Sequence, residues 1–116
     1  MDRPIMGGFV LERMTREQIE QFYQSGIWKR KRAMILRRDG YMCQLSKRYG
    51  KRVEAEVVHH IFPLEAYPEY ALCNWNLIAL SKAAHNKLHD RITNELTDEG
   101  KKLLRGVAIK RGFGLH

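Results

Sequence analysis

Residues 53–91 read VEAEVVHHIFPLEAYPEYALCNWNLIALSKAAHNKLHDR, and this stretch decides the fold. Its first ten residues, 53–62, alternate and then become apolar, which is strand chemistry, and Pro63 ends that strand. Residues 63–75 carry Pro63, Tyr67, Pro68, Tyr70 and Trp75 and read as a structured loop. A short strand follows over 76–80 (NLIAL), and Ser81 is a good N-cap for a helix over 82–91. Strand, loop, strand, helix is the order this predicts.

Four of the five histidines fall inside that stretch. His85 and His89 stand four apart on the expected helix, so both imidazoles leave from one face and could hold a single metal ion. Two half-buried surface histidines would give the same spacing. His59 and His60 are neighbours at a strand end. Neighbours on a strand point to opposite faces, so one ion could not readily take both. They are expected to divide the labour, one ligating and the other acting as a base or packing into the core. A solvent-facing His59 beside a satisfied core His60 is the plainer alternative.

Working outward, Thr15 with Gln18 three residues on has capping-box spacing. Ile19, Phe22 and Tyr23 then mark a short amphipathic helix over 16–24. Ser25 and Gly26 break it. A second helix is predicted over 27–38, with Trp28, Ala33, Met34 and Ile35 inward, stopping at Asp39 and Gly40. Residues 41–52 read as turn-rich, bending at Tyr49, Gly50 and Lys51. Thr97 or Asp98 starts a last helix, with Leu103, Leu104, Val107 and Ile109 available for the core. Residues 1–14 lack a period and read as a loose arm, leaving 15–116 as one domain of α+β class.

With 116 residues, one hydrophobic core is expected. No apolar run approaches the roughly 20 residues that cross a bilayer, and no signal peptide is visible at the start. Two cysteines 30 positions apart make no disulfide framework and suit a reducing cytosol. The charge is more telling. Twenty-one Lys and Arg against 13 Asp and Glu give +8, an excess that favours a polyanionic partner through counterion release. Residues 29–38 hold six basic side chains in ten, and 47–52 hold four in six.

The segment VVHHI at 57–61, Asn76, and HNKLH at 85–89 together resemble the HNH endonuclease motif, the ββα-metal fold. The run FYQSGIWKRKRAMILRRDGYMCQ at 22–44 also resembles the lead-in of phage-type HNH endonucleases, with its aromatic pair, Trp, Arg-rich helix and Arg-Asp-x-Tyr-x-Cys. The resemblance spans about residues 22–91, with its motif core at 53–91, preceded by basic helices and followed by a C-terminal helix. It implies a metal-dependent DNA endonuclease, phage or prophage encoded, leaving a 5′ phosphate and a 3′ hydroxyl. By the resemblance, His60 is the general base and His59, His85 and His89 are the metal ligands. One divalent ion, Mg, Mn, Ni or Zn, is implied as cofactor. Asn76 matches the middle letter of the motif, counted with the catalytic set, where its amide holds the loop beside the base. Arg37, Arg38, Lys87 and Arg91 are the candidates for gripping phosphate.

One departure concerns zinc. Many phage-type members carry two Cys-x-x-Cys knuckles for a structural zinc, but the matching positions here read Cys43-Gln44-Leu45-Ser46 and Ser81-Lys82-Ala83-Ala84. No structural zinc is expected there, and Cys43 reads as a buried small apolar residue. A competing reading is a non-catalytic nucleic-acid-binding module, with a closed zinc site built from Cys73, His85, His89 and Cys43. A third is an HNH fold that has lost activity and serves in packaging or assembly. The expected partner is double-stranded DNA, with a second copy of the chain or phage packaging proteins as further partners. No membrane is expected, and the compartment is the cytoplasm of a bacterial host.

Overall fold

The structure, a computed structural model, describes residues 13–113 together with the backbone of two short strands, β1 (Ile5–Met6) and β2 (Phe9–Val10). These two pair antiparallel, Ile5 opposite Val10. The rest of the expected arm over 1–14, apart from Arg13 and Met14, lies outside the described residues, as do 114–116.

Helix α1 spans Arg16–Gln24 and begins with the reciprocal cap that its sequence predicts. The Thr15 hydroxyl accepts from the Gln18 N–H at 3.1 Å, and the Gln18 carboxamide accepts from the Thr15 N–H at 2.9 Å. Ser25 closes α1 and opens α2, Gly26–Arg38. Its hydroxyl donates to the Phe22 carbonyl at 2.6 Å and accepts from the Trp28 N–H at 3.2 Å. One serine thus sets the angle at which the aromatic end of α1 folds over the start of α2.

The inward stripe of α2 differs from the expected one. Trp28, Ile35 and Leu36 are buried, whereas Met34 is 39% exposed and Ala33 faces out. Two basic residues, Lys31 and Arg32, take the intervening half-buried places. Their heads reach the Asn74 Oδ1 at 2.7 Å and the Glu56 carbonyl at 2.7 Å, which lets the stems be half-buried while the charges stay solvated. Asp39 caps α2, and Gly40 and Tyr41 follow at φ of +64° and +58°. The segment expected to be only turns also holds a one-turn helix, α3 (Gln44–Arg48). Five residues are too few to show a period. The bend at Gly50 is present, at φ +75°.

The centre of the molecule is an antiparallel pair, β3 (Val57–His60) and β4 (Leu77–Leu80), with Val57 opposite Leu80 and His60 opposite Leu77. The strands are shorter than the expected spans because the chain around Glu54 makes only an isolated bridge to Met42 and the backbone turns after His60. Alternation along the strands sends Val57, Ile78 and Leu80 into the main core, with Phe62, Leu88, Leu104 and Ala108. Val58 and Leu77 face the other way, against Phe22, Trp28 and Ile35. Two cores thus sit on the two faces of one hairpin.

Ser81 caps α4 (Lys82–Asn86) with its hydroxyl accepting from the Ala84 N–H at 3.1 Å. This helix stops short of the expected residue 91. The reason is competition for its last carbonyls: Thr97 donates its hydroxyl to the Lys87 carbonyl and its N–H to the Leu88 carbonyl. His89 therefore lies past the helix, in a bridge with Leu96. Thr97 also caps α5 (Asp98–Lys110). Gly100 makes that docking possible, because a Cβ there would lie 2.5 Å from the Leu88 carbonyl oxygen and 2.9 Å from Leu96. Within α5, Leu104 and Ala108 are buried, while Ile109 is 72% exposed and belongs to the surface rather than the core. Among the described residues no helix is long and apolar enough to cross a membrane.

Candidate metal centre and base

The period of two in β3 puts His59 and His60 on opposite faces, with opposite environments. His59 faces α4. One ring nitrogen from each of His59, His85 and His89 lies within 4.8 Å of the others, and ring centroids are 5.0–5.2 Å apart. His85 comes from α4 and His89 from the chain just beyond it, so the shortened helix still delivers both. His59 Nδ1 and His89 Nε2 are 3.4 Å apart. Two ligands about 2.1 Å from one ion at a tetrahedral angle would stand roughly 3.4 Å apart.

Two further observations fit a cation at this place. His89 donates its Nδ1–H to the Asn94 carbonyl at 3.1 Å, which leaves the lone pair on Nε2, pointed at His59. His59 Nε2, on the other side of the ring from the Nδ1 that meets His89, is buried without a hydrogen-bond partner among the described residues. Burial, and then the neighbouring His85 and His89, hold His59 well below the ordinary histidine range; burial, then His89, lowers His85. Both are neutral near pH 7, the form that ligates. Neither Cys43 nor Cys73 joins the group, so the closed two-Cys, two-His zinc arrangement is not what the described residues form. Cys43 instead packs in the main core, bonded by Ser46 at 3.3 Å and by Ser81.

His60 faces α1 and α2. Its ring stacks on Trp28, with centroids 4.9 Å apart at 27°, and Phe22 and Tyr23 approach edge-on at 5.9 and 6.1 Å. Nε2 lies 3.0 Å from the Ala71 carbonyl. A carbonyl only accepts, so Nε2 carries the proton and the lone pair is on Nδ1. Nδ1 in turn is 3.5 Å from the Tyr23 hydroxyl. Burial lowers His60 to about 4, only partly opposed by the Ala71 bond, so the ring is neutral near pH 7. Tyr23 was legible only as part of an apolar helix face. Its place beside a histidine 37 residues away has no signal in the sequence.

Asn76 is completely buried at the start of β4. Its carbonyl accepts from the Phe62 N–H at 2.7 Å, and its NH₂ donates to the Phe62 and Tyr70 carbonyls at 3.2 and 3.1 Å. Each of these bonds is to backbone, so Asn76 clamps the loop that follows His60.

The four phosphate candidates have different settings. Arg38 is tied down: its guanidinium donates to the Asn74 and Leu77 carbonyls at 2.8 and 2.6 Å and pairs with Asp39 at 2.9 Å. Asp39 in turn accepts from the Ala79 N–H. Arg38 thus joins α2 to β4, with its side chain 40% exposed. Arg37, Lys87 and Arg91 are exposed.

No family model and no curated protein matches the chain. Among solved structures, the HNH endonuclease of the deep-sea thermophilic bacteriophage GVE2, crystallised with manganese ion, matches with a TM-score of 0.60 and 30% identity, over 84% of this chain and 88% of that one. The histidine cluster just described fits a site of that kind, and with this match the chain belongs to the HNH endonuclease family.

Proposed function

We propose that this protein is a metal-dependent DNA endonuclease that uses His60 as its base. The observation that carries the reading is the division of two adjacent histidines between a three-nitrogen cluster and an aromatic cradle. A divalent ion held by His59, His85 and His89 would polarise the scissile phosphate and neutralise the leaving 3′ oxygen. With three protein ligands, such a site keeps room for substrate.

The residues of the chain supply the rest. The Ala71 carbonyl fixes the His60 tautomer, so the lone pair is on Nδ1, and the attacking water would take the place beside it that the Tyr23 hydroxyl holds at 3.5 Å. Stacking on Trp28 fixes the ring plane, and Asn76 holds the loop from Phe62 to Tyr70 whose end carries that carbonyl. Attack on phosphorus with loss of the 3′ oxygen leaves a 5′ phosphate and a 3′ hydroxyl. The net charge of +8 supports a polyanionic substrate, and double-stranded DNA is the one we assign. Arg37, Lys87 and Arg91 are exposed close to the motif in sequence and suit contacts to its backbone.

The experiment is an incubation of metal-stripped protein with supercoiled plasmid, with magnesium, manganese, nickel or zinc then added, beside His60→Ala. Metal-dependent nicking or linearisation that the variant lacks is the expected result. A mobility shift without cutting under every metal would overturn the reading in favour of a binding module.

A further inference from the structure

A groove of about 850 Å³ opens between α3, α4 and α5, away from the histidine cluster. Leu88 and Leu103 contribute to its apolar floor. Its rim carries Arg48, Lys51, Lys87, Lys102 and Lys110 against one acid, Glu99. Five cations less one anion leave a formal +4 around one channel.

The rim cations differ from the more obvious basic run at 29–38. There, Lys31, Arg32 and Arg38 spend their donors on Asn74, Glu56, Leu77 and Asp39. None of the five rim side chains has a hydrogen bond or ion pair among the described residues. These are solvated charges with nothing among the described residues to neutralise, and they come from α3, α5 and the segments just beyond α3 and α4. Ala83 and Ala84 of α4 line the groove while His85 of the same helix belongs to the cluster, so α4 is the wall shared by the two.

We infer that this groove seats the sugar-phosphate backbone of the DNA whose scissile phosphate meets the histidine cluster, an inference that rests on the endonuclease reading above. A helix is about 10 Å wide with its side chains, and a strand of B-DNA advances about 3.4 Å per nucleotide. Crossing α4 therefore takes about three nucleotides. An apolar floor under a cationic rim suits deoxyribose edges flanked by phosphates. Helix α5 lies beyond the motif core, and on this assignment its Lys102 and Lys110 serve substrate grip rather than solubility.

The test compares two double variants of α5 that remove equal charge. Lys102→Ala with Lys110→Ala strips the groove; Lys101→Ala with Arg105→Ala strips exposed positions on the same helix outside its lining. Binding of a fluorescent DNA duplex is followed by anisotropy in EDTA across a salt series. Each lost phosphate contact lowers the slope of log K against log salt by about 0.9, so the groove pair should lower it by about 1.8 and weaken low-salt binding at least about tenfold. The control pair should change the slope by less than half as much. Equal losses from the two pairs, or no loss from the groove pair, would overturn the inference. Matched thermal unfolding of both variants guards against misfolding. Hydrolysis of bis(4-nitrophenyl) phosphate, too small to reach the groove, should need metal and be the same in the groove pair and the parent. Its absence in the parent defeats the endonuclease reading, whereas the slopes judge the groove.

Discussion

The two faces of β3 carry the same side chain in adjacent positions and do opposite things with it. On one face His59 meets two more imidazoles and keeps a buried nitrogen without a partner. On the other, His60 has Ala71 and Tyr23 at its two nitrogens and Trp28 against its ring. Both are buried and both are neutral near pH 7, so neither exposure nor charge distinguishes them. What distinguishes them is the company each keeps. A ring nitrogen gathered with two others is built to take a cation, whereas a ring whose tautomer is fixed by a carbonyl is built to accept a proton at one chosen atom.

The largest effect should come from breaking this asymmetry at either residue. His60→Ala should lower plasmid cleavage by about 100-fold or more, the usual scale of general-base catalysis, while metal binding measured by calorimetry stays unchanged. His59→Ala should lose both together. Equal loss of metal binding in the two variants would mean that the faces share one role.

A second expected effect concerns stability. An ion that binds only the folded protein stabilises it by about 2.7 kcal/mol at 100 times its Kd. Manganese at that ratio should raise the denaturation midpoint of the parent and of His60→Ala alike, and should leave His85→Ala close to its metal-free value. A full shift in His85→Ala would remove that residue from the cluster.

The third effect is acid sensitivity of the metal-free protein. His60 titrates near 4 when folded and near 6.5 when unfolded, so below 6.5 the unfolded chain binds the extra proton. Stability from this group is complete above pH 6.5 and is lost as pH falls toward 4. By pH 4.5 the loss should be about 2.5 kcal/mol from His60 alone, with His59 and His85 acting in the same direction. Urea midpoints at pH 7 and 4.5 measure it. His60→Asn should flatten that dependence, and an unaltered dependence would mean that the aromatic cradle does not hold the ring neutral.

How legible each part was depends on how far apart its causes lie. The cap at Thr15 with Gln18 and the cap at Ser81 are each closed by atoms three residues apart, and the structure forms both. The opposite facing of His59 and His60 follows from strand geometry alone. The stripe of α2 was misread because Lys31, Arg32 and Arg38 look like a solvated face. Their partners, Asn74, Glu56 and Leu77, are 24 to 43 residues away. Ile109 was misplaced because Ala108, small and close to Leu104, is what fits under the hairpin. The early end of α4 depends on Thr97, ten residues downstream of the carbonyl it takes.

By itself the sequence determined the order of the longer helices and the two central strands, and the presence of a His-His, Asn, His-x-x-x-His series on a strand–loop–strand–helix frame. All of these rest on local spacing, where backbone geometry leaves few choices. Tertiary structure alone decided which nitrogen of His60 and of His89 carries the lone pair. That choice is made by the carbonyls of Ala71 and Asn94, backbone atoms with no signature in any side chain, brought within 3.0 and 3.1 Å by the paths of the loops that follow each histidine.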